Sequence, residues 1–130
     1  MKTIGLIGGM SWESTLEYYR IINEEINQKL GGLNSAKILL YSVNFQEIEE
    51  LQRAEKWSEL TKKMIEAAQT LEDAGADFIV ICTNTMHKMA GEVAQSVSIP
   101  LIHIADATAK AITQEKIVCV GYALQKRTFK

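Results

Sequence analysis

The sequence has 130 residues, 47% hydrophobic and 23% charged, with 14 basic against 16 acidic side chains. That length suits one domain with a sizeable core, and the composition excludes an intrinsically disordered chain. A formal charge of -2 excludes the strong attraction expected of a nucleic-acid or anionic-membrane binder; Lys126, Arg127 and Lys130 read as a solvated terminus.

Thr3 to Ile7 is a short apolar run ending in Gly8-Gly9, the pattern of a buried strand entering a tight turn. Ser11 or Ser14 caps the helix that follows, with Leu16, Tyr19, Ile22, Ile26 and Leu30 at helical spacing, and Gly31-Gly32 stops it. Ile38 to Val43 reads as a second strand ending at Asn44. Phe45 to Arg53 and Lys56 to Asp73 read as helices, the latter with Leu60, Met64, Ala67, Ala68 and Leu71 on one face. Gly75 ends it, and Phe78-Ile79-Val80-Ile81 supplies a third, wholly apolar strand.

A helix from about Thr85 to Ser96 turns Met86, Met89, Ala90, Val93 and Ala94 inward. Pro100 opens a fourth strand, Leu101 to Ile104; Asp106 to Thr113 is a short helix and Ile117 to Val120 a fifth strand. Strands apolar on both faces and separated by helices predict an α/β fold, a parallel sheet with helices on both faces. No apolar run approaches the about 20 residues of a spanning helix. The first ten residues contain three glycines and lead into Trp12-Glu13, against a secretory leader. Two cysteines far apart make no disulfide framework, so a cytoplasmic setting with free thiols is expected.

In parallel sheets ligands bind at the carboxyl ends of the strands. Here those ends hold Gly8-Gly9-Met10-Ser11-Trp12, Asn44, Cys82-Thr83-Asn84-Thr85, and His103 with Asp106. The Gly8-Gly9 loop lacks G-x-G-x-x-G spacing, so a dinucleotide site is disfavoured; a plain turn and a turn with free amides for an anion stand equally open. Cys82 precedes a helix start whose dipole and amides would lower the thiol pKa, favouring a functional thiol over a core cysteine. His87, five residues on, makes a Cys-His hydrolase a weaker reading. His103 with Asp106 is either a polar pair or a cap, and Cys119, mid-strand, reads as core. The dispersed histidines and cysteines have no metal-ligand spacing.

Three segments, Ile4 to Thr15 (IGLIGGMSWEST), Cys82 to Lys88 (CTNTMHK) and His103 to Thr108 (HIADAT), together resemble the aspartate/glutamate racemase family, in register from Met1 to about Gly121. The resemblance implies a flavodoxin-like racemase domain of a two-domain, PLP-independent amino-acid racemase with no cofactor and no metal. Its active site lies between the domains, with one cysteine from each. It implies Cys82 as the first-domain acid/base, Thr83, Asn84 and Thr85 holding the α-carboxylate, and Met10 and Gln52 contacting substrate. Asn44 stands where relatives often carry an acidic residue in an SVDF-like segment.

On this pattern residues 1–115 form the first domain. Residues 116–130 begin a truncated second one: Lys116 to Gly121 resembles its first strand, whereas Tyr122 to Lys130 departs from its Gly-Thr motif. The motif bearing the second cysteine is absent, and Cys119 does not replace it. The expected partner is a small amino acid, with no nucleic acid and no membrane. Three readings follow: a racemase whose activity needs a second half; an inactive truncated domain that binds a dicarboxylic amino acid; and a homodimer placing two Cys82 thiols across one substrate. Surfaces meant for a second domain are expected to leave an apolar patch that favours association.

Overall fold

The computed structural model describes residues 1–83 and 88–102. Four parallel strands form one sheet: β1 (Thr3–Gly8), β2 (Lys37–Ser42), β3 (Phe78–Ile81) and β4 (Leu101–Ile102), in the spatial order β2-β1-β3-β4. The helices are α1 (Trp12–Leu30), α2 (Phe45–Arg53), α3 (Trp57–Asp73) and α4 (Ala90–Gln95). The α/β reading of the sequence therefore stands. β1 lies at the centre, pairing Ile4 with Ile38 and with Phe78, and Ile7 with Tyr41 and with Ile81.

Alternation along the strands divides the core between the two faces of the sheet. Ile4, Leu6, Phe78, Val80 and Cys82 pack with Tyr18, Ile21 and Ile22 of α1. Ile7, Ile79 and Ile81 point the other way, against Ile48 of α2, Leu60, Met64, Ala67, Ala68 and Leu71 of α3, and Val93 of α4. The inward face expected for α3 is the one observed, because its small alanines let the helix lie close to β1. A side chain at Gly5 would meet Ala76 Cβ at 3.0 Å and Leu71 Cβ at 3.4 Å.

The face expected for α1 is corrected. Leu16 and Tyr19 are 58% and 52% exposed, as is Trp12 at 61%; Leu30 is exposed too, and Ile26 only partly buried. The inward residues are Thr15, Tyr18, Ile21 and Ile22, a stripe set one residue earlier and roughly 100° around the helix. Two apolar stripes run along this helix, and Thr15, anchored to the β1 turn, decides which of them faces the sheet.

Ser11 occupies the N-cap position but makes no side-chain capping bond, and Ser14 lies inside the helix. Gly31 closes α1 at φ 73. β2 begins at Lys37 and ends at Ser42, a residue earlier than expected at each end, and α3 begins at Trp57. The α-helical part of the segment after β3 is shorter than expected, Ala90–Gln95, with Met89 and Ala90 buried. The calls on Asn84, Thr85, Met86 and His87, and on everything from His103 onward, including Asp106, Cys119 and the fifth strand, lie outside the described residues. Among the described residues no helix is long and apolar enough to cross a membrane.

Candidate active site

The carboxyl ends of β1 and β3 meet at the middle of the sheet. Beyond the last β1–β3 pair, the Cys82 N–H donates to the Ile7 carbonyl at 2.9 Å. That bond places Cys82 beside Gly8 at the mouth of the β1 turn. β1 leads to α1 on one face of the sheet and β3 precedes α4 on the other, the reversal of strand order at which ligands bind in such sheets.

The Gly8-Gly9 turn is built by contact. Gly9 has φ 94, and a Cβ on it would fall 2.4 Å from the Val43 carbonyl oxygen, so only glycine fits. A Cβ on Gly8 would lie 2.6 Å from Thr15 Cγ2. The buried Gly9 N–H donates to Thr15 Oγ1 at 2.8 Å, and Val43 N–H donates to the Gly8 carbonyl at 2.9 Å. The Gly9 amide is therefore spent internally, which at this residue favours the plain turn of the two readings left open by the sequence. The part Thr15 plays in holding this turn was missed in the sequence. Its signal is a threonine one helical turn after the cap serine, where its hydroxyl can reach back to the loop.

Cys82 is a free thiol with no exposed surface, packed among the α1-side core residues. Burial pushes the thiol pKa up, well above the ordinary range, because an apolar surrounding penalises the thiolate. This reverses the lowering expected from a helix start. Met10, also buried, belongs to the cluster on the opposite face of the sheet, with Leu60 and Met89. The Met10–Ser11 peptide is cis. Thr83 and Gln52 are partly buried, Gln52 on α2. The structure thus gathers Met10, Cys82 and Thr83 at one end of the sheet, while the Met10 and Cys82 side chains enter different halves of the core.

Asn44 caps α2, its Oδ1 accepting from Gln46 N–H at 3.1 Å. An aspartate would cap equally well, so helix capping accounts for either residue here. Beside it lies an open cleft of about 410 Å³, lined by Tyr41, Ser42, Asn44, Glu47, Lys63 and Glu66, with Lys63 Nζ 3.7 Å from Glu47 Oε2. It flanks β2 and is not lined by Cys82.

The sequence pattern of the Asp/Glu/hydantoin racemase family matches residues 7–121. The chain belongs to that family. A structure of an Asp/Glu racemase-like protein from Yersinia pestis superposes with a TM-score of 0.84 at 56% identity, over 88% of this chain and 50% of that one. An aspartate racemase homologue from Pyrococcus horikoshii OT3 superposes at 0.79 with 39% identity, over 87% and 49%. The broad specificity amino-acid racemase RacX of Bacillus subtilis is 29% identical over 123 residues, covering 91% of this chain and 53% of its own length. The chain spans about half the length of these relatives.

Proposed function

We propose that this chain is the Cys82-bearing half of a PLP-independent racemase of acidic amino acids, aspartate or glutamate. Cys82 is its acid/base, and Met10, Gln52, Thr83, Asn84 and Thr85 are its substrate-binding residues. The observation that carries this reading is the position of Cys82 at the carboxyl end of β3, tied to the end of β1 beside the Gly8-Gly9 turn, in a chain of this family.

Burial keeps the Cys82 thiol protonated in the substrate-free fold, the state in which it serves as proton donor; in the opposite direction its thiolate is the base. An opposing base takes the α-proton, the S–H of Cys82 delivers its proton to the other face of the carbanion, and Cys82 is left as the thiolate. The α-carbon acid is weak, so the carboxylate must be held firmly and water excluded. The opposing base comes from a second α/β domain or from a second copy of this chain. A thiol with this role fits a reducing, cytoplasmic setting.

The test is α-proton exchange of L- and D-aspartate and glutamate in deuterated buffer, followed by NMR, with saturable binding measured in the same samples. The chain is expected to bind an acidic amino acid; α-proton exchange also needs the opposing base, so exchange is expected only where copies associate, and it should vanish in Cys82→Ser. Exchange that survives Cys82→Ser overturns the assignment of Cys82, and failure to bind either amino acid overturns the substrate class. The burial of Cys82 favours a second reading, a binding domain without catalysis. Binding that persists in Cys82→Ala with no exchange from the wild-type chain selects it.

A further inference from the structure

Trp12, Leu16 and Tyr19 form an exposed stripe along α1. They follow one another at four and three residues, the spacing of a helix–helix seam. The stripe stops at the next seam position, where Asn23 turns back to its own chain. Its Oδ1 accepts from the Ala36 N–H at 2.9 Å, and its Nδ2 donates to the Tyr19 carbonyl at 3.0 Å. The Ala36 bond sets the stripe beside β2, the edge strand of the sheet, on which Leu40 is also exposed. The last described strand, β4, lies at the other edge, three strand spacings or about 14 Å away.

One rim of the stripe carries Glu13 and Arg20, seven residues apart and therefore on the same side of the helix. Arg20 uses three of its five N–H donors on Glu17 and Glu24, which hold the guanidinium in place and leave two donors over. Among the described residues Glu13 takes part in no ion pair.

We propose that α1 pairs antiparallel with α1 of a second copy of this chain, about a two-fold axis crossing the stripe at Leu16. The two Leu16 side chains then meet on the axis. Trp12 of each copy falls within one residue, about 1.5 Å of rise, of Tyr19 of the other, and Glu13 falls equally close to Arg20. A two-fold contact must be self-complementary. In this register apolar groups meet apolar groups, and the carboxylate of Glu13 meets the guanidinium at both ends of the contact. In a parallel pair the two charged rims lie on opposite sides, and neither charge finds its opposite.

The contact is small. Covering the exposed parts of two aromatics and a leucine removes about 250–400 Å² per copy from water, against about 800 Å² per partner in a standard stable interface. The pair is therefore a reversible, concentration-dependent dimer. It rests on the α1 surface alone and is independent of the amino-acid reading above.

The test is sedimentation equilibrium of the wild-type chain up to about 1 mM, the weak end of measurable affinity, beside Glu13→Lys and Arg20→Glu. Each variant alone sets like charges against each other at both ends of the pair. One exposed ion pair is worth about 1.4- to 5-fold in an equilibrium constant, so the two lost by symmetry should weaken the dimer by about 2- to 30-fold. An equimolar mixture of the two variants should recover wild-type association, because in the mixed pair every carboxylate again faces a cation. In a Cys119→Ser background a short bis-maleimide should join two copies of Leu16→Cys. It should not join two copies of Gln28→Cys, an exposed position on the far side of α1.

A wild-type chain that stays monomeric throughout this range overturns the pairing. If Trp12 of that monomer is shielded from acrylamide, read in a Trp57→Phe background, the stripe is covered by residues 103–130 of the same chain instead. A dimer indifferent to both charge variants uses another face, and a mixture that associates no more tightly than its components overturns the antiparallel register.

Discussion

Replacing Thr15 by valine tests the account of the β1 turn most directly. Valine matches threonine in shape and keeps the Cγ2 methyl that packs on Gly8, but it removes the oxygen accepting the buried Gly9 N–H at 2.8 Å. The Gly9 amide cannot turn elsewhere, since the Val43 backbone already crowds the residue and its φ of 94 is fixed by that contact. An unsatisfied buried amide costs about 1 to 3 kcal/mol. For a chain between the two size classes usually tabulated, about 3 to 5 °C of melting temperature goes with each kcal/mol, so a loss of about 3 to 15 °C is expected. Urea unfolding should show a lower midpoint with an unchanged slope. Thr15→Ser keeps the acceptor and should lose less. If Thr15→Val melts with the wild type, or Thr15→Ser is the less stable of the two, packing rather than the hydrogen bond holds the turn and the reasoning fails.

Cys82, buried with a raised pKa, should react with a disulfide reagent at pH 8 far more slowly than an unfolded thiol, measured in a Cys119→Ser background; rapid labelling of the folded chain contradicts this burial. The Glu72 carboxylate accepts from Ser98 N–H at 2.7 Å and Ser98 Oγ–H at 2.5 Å, which holds its pKa below the usual carboxylate value. A depressed folded pKa gives stability that is present above the ordinary glutamate value and lost as pH falls through the lower folded one. Wild type should therefore lose its advantage over Glu72→Gln across that acid range, and a pH-independent difference in melting temperature would count against it. The exposed Trp12, Leu16 and Tyr19 stripe should drive self-association; Leu16→Lys is expected to shift sedimentation toward monomer with little change in melting temperature, and no shift would remove the stripe from any interface.

Much of this was legible in the sequence because the signals were local. The four-residue apolar run Phe78–Ile81 could only be a strand buried on both faces, and the α3 face from Leu60 to Leu71 had a single apolar stripe to offer. Helix α1 was not legible to that depth. Its sequence supports two apolar stripes, and the choice depends on Thr15 meeting Gly9, a contact that no periodicity reports. The candidate site was legible as positions rather than as chemistry: Cys82 at a strand end follows from where the apolar run stops. Its protonation follows from burial among Tyr18, Ile22 and Val80, which no sequence spacing reports. Asn44 shows the converse, a residue marked by its place at a strand end whose described contact is a helix cap.

The central place of β1 has a consequence for how the chain acquires its fold. Strand β1 pairs on one side with residues 37–42 and on the other with 78–81, both later in the chain, and Thr3 N–H donates to Asp77 across 74 residues of sequence. During synthesis an early β-α-β unit of β1, α1 and β2 must therefore wait with one sheet edge open until residues 78–81 clear the ribosome. Pairing at such separation makes folding slow relative to helical domains of equal size, and the waiting edge, flanked by Ile4, Leu6 and Ile7, is the surface most exposed to wrong partners. β1 is thus sealed on its second edge only when β3 arrives, and expression yield should respond more to changes that speed the arrival of β3 than to changes that strengthen α1.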